Sequence, residues 1–418
     1  MTDHDDPLSA ELREYYAQLA QQSAPDLTGR VMAETDTRGA RMRRLTGIGG
    51  AVVVAAAAAA LVVVTLANHG APARNNPANT PNPTPTPASP MTTPLPAPVI
   101  PVGLAAHGFI PSDVTAISAN QWWVAGYDGA SCTSTSCTRI LHTTDGGQTF
   151  ESMPTPPVAP GPGGQQYFGL RFADSADGWL YTAGGALWAT HDGGGHWTSD
   201  AAAGTVTDLE ASGGYVYAID CAQATACTLE RSQLGQDTWL PLPIPAGSGT
   251  LVHLNVNGPH VWVVPGGQGG TSLLESTDAG QHFSTDAVCA GDVGIASVDA
   301  VDPSVVWATC ATGTEATAFR SLDGGQHFSA VAGPGMMPNF ASIGGVSSIT
   351  AVIGAQALFR TVDGGRAFVT VADNGTQWSV VGFTTSSNGF VFDREASGQR
   401  ALWRSNDAGA HWYRVGFP

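Results

Sequence analysis

Two apolar patterns divide the chain. From Leu45 to Ala67 it carries no charge and is almost wholly Ala, Val, Leu, Ile and Gly, interrupted by Thr46 and Thr65. A helix rising about 1.5 Å per residue would reach roughly 34 Å over this run, enough to cross a bilayer core of about 30 Å. Beyond residue 102 the apolar residues fall instead in short β-branched and aromatic runs bounded by Gly, Asn and Asp, the signature of strands. The strongest are Trp122-Trp123-Val124, Trp179-Leu180-Tyr181, Tyr215-Val216-Tyr217, Val261-Trp262-Val263, Val306-Trp307-Ala308, Ala351-Val352-Ile353 and Phe390-Val391-Phe392. Unbroken runs of this kind suit strands covered on both faces. Each is therefore expected to be the second strand of a four-stranded sheet packed between two others. In the second unit the four strands are expected at 167–172, 178–182, 186–190 and 196–199.

The turn between the third and fourth strands repeats. Ser321-Leu322-Asp323-Gly324-Gly325-Gln326-His327-Phe328 returns from Thr143, Thr190, Ser276, Thr361 and Ser405 as Ser/Thr-x-Asp-x-Gly-x-x-aromatic. A seventh copy from Ser232 keeps its closing Trp239 but has Leu234 and Gln236 in place of Asp and Gly. Successive starts lie 40 to 47 residues apart, a period that belongs to propeller blades. A tight reversal needs Gly where φ is positive, and an Asp carboxylate can accept backbone N–H groups just ahead of it. The Ser/Thr hydroxyl can join that network. Asp145, Asp192, Asp278, Asp323, Asp363 and Asp407 are accordingly read as turn-makers, because a residue repeated in every unit serves the scaffold.

This octapeptide resembles the Asp-box, or BNR, repeat of sialidases, sortilin-type receptors, some glycoside hydrolases and the photosystem II assembly factor family. The resemblance covers roughly residues 105 to 418. It implies an all-β, seven-bladed β-propeller with Asp-box hairpins on the periphery, away from any active site, and it carries no reaction with it. The ring is expected to close by packing of the last blade on the first, or by an outer strand that Val102 to Phe109 adds to the last blade.

Four segments are expected: a cytoplasmic tail at 1–44, a transmembrane helix at 45–67, a Pro/Thr-rich extracytoplasmic linker at 68–101 and the propeller at 102–418. Arg38, Arg41, Arg43 and Arg44 crowd the N-terminal end of the apolar run. The positive-inside rule then leaves the tail in the cytoplasm and all that follows outside, in a single-pass cell-membrane protein. A cleaved signal peptide competes with this reading, but the 44 residues before the run are long for its n-region. In the tail, Asp6-Pro7 reads as a helix cap, and Leu8, Leu12, Tyr15, Tyr16 and Leu19 share one face. The tail resembles the short pre-membrane stubs of actinobacterial anti-sigma factors, though without a zinc motif. From Gly70 to Pro101 there are 11 Pro, which favours an extended polyproline stalk.

Charge narrows the partners. Every basic residue is Arg, and from residue 102 onward 10 Arg stand against 26 Asp plus Glu, or −16. A field of that sign repels phosphate backbones, so nucleic acid is not expected. Six Cys follow the apolar run, an even number in an oxidising setting. By proximity they pair as Cys132–Cys137, Cys221–Cys227 and Cys289–Cys310. No CxxC spacing occurs, and neither metal nor cofactor is expected.

Candidate chemistry is sparse. His196, His282, His327 and His411 share the seventh box position and are expected in solvent. Arg231, Arg320, Arg360 and Arg404 each precede the Ser/Thr of a box, which symmetry turns into a partial ring for an anionic ligand. The Arg-Ile-Pro element of sialidases is replaced by Phe109-Ile110-Pro111, against sialidase chemistry. Two acids from different blades can still meet across a cleft as in glycosidases, with Asp174, Asp177, Asp208 and Asp220 as candidates. No catalytic residue is assigned. The expected function is non-catalytic: a membrane-anchored scaffold for an envelope protein or glycan. The alternatives are a glycoside hydrolase and an envelope sensor with a docking tail.

Overall fold

The structure, a computed structural model, describes residues 108–418 except 130–137, 159–167, 183–185, 201–203, 224–225, 247, 249, 267–269, 290–293, 313–314, 335–336, 339–340 and 395–399. The tail, the apolar run and the linker lie outside the described residues. Among the described residues no helix is long and apolar enough to cross a membrane.

Seven antiparallel sheets follow one another along the chain, at 109–153, 168–200, 205–241, 251–287, 294–338, 342–372 and 377–414. Each runs from first strand to fourth in sequence order. The strands of the second blade lie at Phe168–Phe172, Gly178–Thr182, Leu187–Thr190 and Thr198–Asp200. Blade 5 departs from the four-strand expectation: Met337–Pro338 pairs with its third strand, Glu315–Ser321. Met337 is buried there, and a two-residue strand is too short to show a period in sequence. First strands of successive blades from 1 to 7 pack on one another and form the inner ring, and at the closure the first strand of blade 1 packs on the third strand of blade 7.

The core is seven separate clusters, one at each blade-to-blade contact. Adjacent residues on a strand point to opposite faces, so each second strand serves two neighbours. Trp123 and Ala125 pack towards blade 2, while Trp122 and Val124 pack towards blade 7. Truncating a buried Trp typically costs about 3–5 kcal/mol, against about 1 kcal/mol for one hydrogen bond. Packing therefore supplies the energy of each contact, and polar groups fix its register. Closure is of the same kind: Phe109 meets Phe417 at 4.8 Å, and Trp122 meets Phe390 at 5.1 Å. Phe109 pairs with Asp128 inside blade 1, so it adds no strand to blade 7. Ring closure rests on side chains.

The six complete boxes share one geometry. The Ser/Thr hydroxyl donates to the Asp Oδ1 at 2.7–2.9 Å and accepts the N–H of the fifth box residue at 2.8–2.9 Å. The N–H of the seventh residue donates to the same Oδ1 at 2.8–3.1 Å. The fourth and fifth residues are left-handed, as at Gly324 (φ 84°) and Gly325 (φ 114°). Ala279 and Ala408 hold the fourth position at φ 60° and 61°, a region costly for a residue with a Cβ. In the seventh copy Ser232 Oγ instead accepts the Thr238 N–H at 2.8 Å.

Ser321 is fully buried, and Ser321→Ala would strand the Gly325 N–H. An unpaired buried donor costs about 1–3 kcal/mol. The variant is expected to lose stability in that range in denaturant unfolding; an unchanged midpoint would show the box to be dispensable.

Candidate functional site

The box residues serve the joints between blades. In four of the six complete boxes the carbonyl of the fourth residue receives a donor from the preceding blade, among them Trp123 Nε1 to Gly193 at 3.1 Å, Trp262 Nε1 to Gly324 at 2.6 Å and Arg360 Nε to Ala408 at 2.7 Å. Arg231 Nη1 donates in the same way to Ala279. Arg320 reaches Ser348 O at 2.6 Å, and its Nη1 stands 2.3 Å from where a Cβ on Gly364 would be. Arg404 Nη1 comes within 3.2 Å of the equivalent point on Gly146, across the closure. The four arginines thus lie at separate blade joints. Arg231 and Arg320 also lie over Tyr215 and Trp307. Backbone carbonyls of the next blade occupy Arg231, Arg320 and Arg360, which do not converge on one anion pocket.

His196, His282, His327 and His411 are exposed, and each holds the Asp Oδ2 of its own box through Nδ1 at 2.5–2.7 Å. Burial works against ionisation at Asp145 and Asp323, but the hydrogen bonds of the box outweigh it and hold both at about 2. Asp192 is held at about 2 by His196 above all. Disulfides join Cys221 to Cys227 and Cys289 to Cys310, tying two strands of blade 3 and the exit of blade 4 to blade 5. The expected Cys132–Cys137 pair lies outside the described residues.

A polar belt runs round the inner ring. Asp113 in blade 1 accepts the Leu170 N–H of blade 2 at 2.7 Å, and Arg171 of blade 2 pairs with Glu210 of blade 3. Asp208 accepts the Leu254 N–H of blade 4 at 2.8 Å and lies 3.1 Å from His253 Nδ1. Asn255 reaches Asp299 at 3.4 Å, and Asp299 accepts the Gly345 N–H of blade 6 at 2.6 Å. Ser342 accepts from Val381 of blade 7, and Arg400 donates to Ser112 O of blade 1 at 2.8 Å. Bulges interrupt first-strand pairing in blades 1, 3, 4, 5 and 7. A bulge re-aims the side chains beside it, which places polar groups where regular alternation would bury apolar ones. Gly169 has no Cβ to block the Tyr181 ring, which lies against it.

The belt is partly open: side-chain exposure is 34% for Arg171, 19% for Glu210, 16% for Asp208 and 41% for His253. Burial pushes Glu210 up to about 7, with Arg171 opposing it, and pushes Asp299 to about 6. At Asp208 burial also acts upward, but the His253 hydrogen bond and charge and the Leu254 N–H bring the carboxyl below its usual range. His253 loses hydration on burial, yet Asp208 and Glu210 hold it at about 9. Of the four acids considered for glycosidase chemistry, only Asp208 is in the belt. Asp174 accepts two N–H groups of its own turn, Asp177 meets His191, and Asp220 is buried in the second strand of blade 3. Sequence reasoning missed Asp113, Arg171, Glu210, His253 and Asp299. Their common signal is a charged or polar residue inside each first-strand segment. Among the described residues, no group of three His, Cys, Asp or Glu is placed to hold a metal ion.

Seven antiparallel blades, six of them carrying a complete Asp-box turn, define an Asp-box β-propeller. The family model described as photosynthesis system II assembly factor YCF48 matches residues 116–346. The chain belongs to that family. Among solved structures, YCF48 bound to D1 peptide is 14% identical with a TM-score of 0.53, covering 75% of this chain and 95% of that one. YCF48 from Cyanidioschyzon merolae is 16% identical, with a TM-score of 0.51 over 75% and 97% of the two chains. A puromycin hydrolase is 10% identical and superposes with a TM-score of 0.55 over 75% of this chain and 54% of its own. At these identities the likeness is one of fold, and it spans both a peptide binder and an enzyme. No curated protein matches the chain.

The sign of the His253 pair is testable. Its folded value of about 9 lies above the ordinary 6.5, so the stabilisation is complete below pH 6.5 and is lost as pH rises through 9. His253→Gln is expected to flatten the fall of the unfolding midpoint between pH 7 and pH 9.5. A variant with the wild-type pH slope would show that the pair contributes nothing.

Proposed function

We propose that the protein is a non-catalytic scaffold whose inner-ring face holds an extended segment of a partner protein. The observation that carries the reading is the belt: charged donors and acceptors from successive blades, fixed by interblade bonds yet open at one edge. Val252 and Val380 sit among them on first strands and are 51% and 55% exposed, apolar surface of the kind that contact sites use. Membership of a family in which one solved member carries a bound peptide supports a polypeptide as occupant. The apolar run Leu45–Ala67, with Arg38, Arg41, Arg43 and Arg44 before it, supports a membrane anchor with the propeller outside, and the Pro-rich linker as its stalk.

A hydrolase acting on an envelope glycan is the second reading. Asp208 and Glu210 lie two apart on one strand, so they share a face, and their ionisation is driven in opposite directions, the pattern of an acid–base pair. Their engagement with His253, Leu254 and Arg171 accounts for that split without catalysis.

A photo-crosslinking residue at Val252 or Val380, in the full chain within its native membranes, is expected to give one discrete protein adduct. The same residue at Val369, on an outer strand, is expected to give none. Equal labelling from all three positions, or none from the inner pair, would contradict the scaffold. An envelope glycan shortened by the wild type and spared by Glu210→Gln would replace it with the hydrolase.

A further inference from the structure

The arginine joint is inverted at one place in the ring. Arg precedes the box Ser/Thr in blades 3, 5, 6 and 7, whereas blade 4 has Glu275 there. The carboxylate takes the position that the guanidinium takes elsewhere. Glu275 Oε1 lies 3.0 Å from where a Cβ on Gly324 would stand, just as Arg320 Nη1 crowds the corresponding point on Gly364. The donor to the Gly324 carbonyl is now Trp262, so the joint is made and the carboxylate is left over.

Glu275 is 4% exposed. No hydrogen bond to its carboxylate is present among the described residues, and its nearest basic group is His260 Nδ1 at 3.8 Å. Burial, then Asp286 and Asp323, push its carboxyl up to about 7. The same burial pushes His260 down, so His260 offers no compensating charge. A carboxylate held this way is costly unless a cation reaches it.

Space for one is present. A groove of about 580 Å³ opens between blades 4 and 5, and Glu275 is the one buried residue of its lining. Asp278 and Asp286 add negative charge, Phe283 adds an aromatic wall, and no arginine lines it. His282 and His327 stand at the same groove with Nδ1 committed to Asp278 and Asp323.

We propose that this groove is a second binding site, which takes the ammonium or guanidinium head of a basic side chain on a protein partner and seats it against Glu275. The cation restores the charge that arginine supplies in blades 3, 5, 6 and 7, and Phe283 can face the alkyl stem or the cation itself. The chain contains no Lys. Gln326 offers an amide beside the groove, which suits a polypeptide backbone better than a free polyamine. The site lies at the box rim, apart from the inner belt, and does not depend on what that belt holds.

Calorimetric titration of the full chain with capped hexalysine tests it. Losing one charge-assisted contact typically weakens binding about tenfold. Glu275→Gln and Asp286→Asn are each expected to do so, while Asp373→Asn, in a turn between blades 6 and 7, stays at the wild-type affinity. Asp286 is on an outer strand, so its variant reports on the site even where Glu275→Gln disturbs the joint. Unchanged binding in both variants would overturn the proposal. Spermidine binding more tightly than hexalysine, with the same dependence on Glu275, would overturn the assignment to a protein partner.

Discussion

The fourth residue of each box is the point on which the ring depends. It is held left-handed by the hydroxyl–carboxylate network around it, and that conformation turns its carbonyl towards the preceding blade. In the boxes of blades 2, 4, 5 and 7 a Trp or Arg of the preceding blade then finds an acceptor fixed in place. Local turn chemistry and long-range assembly are thus one structure. The box need not touch a ligand to recur, because a misplaced carbonyl leaves its donor unpaired, as Trp179 Nε1 is where it faces the degenerate copy of blade 3.

Seven contacts of one kind close a ring without a shared strand. Apolar clusters supply the larger part of the energy at each contact, and the belt and the joints set its register from the inside and the rim. The inner face presents charges held at set spacings by bonds between blades. A surface ordered in advance loses little order when it binds, which suits a scaffold. The one joint with inverted charge stands out because the other joints define what it should contain.

Much of the fold was legible because its signals are local and repeated. The box motif fixed the turns, and the apolar runs at Trp122–Val124, Trp262 and Trp307 marked the doubly covered strands. The belt was hidden for a physical reason: Asp113 and Asp208 sit beside bulges or irregular pairing, and Asp299 follows one two residues on, which breaks the alternation that assigns a strand residue to a face. His253 and Glu210 gain their properties from residues one blade away, a distance no sequence window spans. The arginines before the boxes were visible as a set, yet the acceptors of Arg231, Arg320 and Arg360 are backbone carbonyls, which any residue supplies. The same invisibility applies to Glu275, whose meaning comes from comparison with its counterparts in other blades.

Hydrogen exchange of the box amides, followed across a denaturant series, tests most directly whether the boxes are joints of one ring. The amides of Gly147, Gly194, Gly280, Gly325, Gly365 and Gly409 are each bonded to a box hydroxyl. If the turns are joints, all six exchange through one cooperative opening with a common free energy and a common denaturant dependence. If each exchanges at its own low free energy, with little dependence on denaturant, the boxes are independent hairpin turns and the ring is held without them.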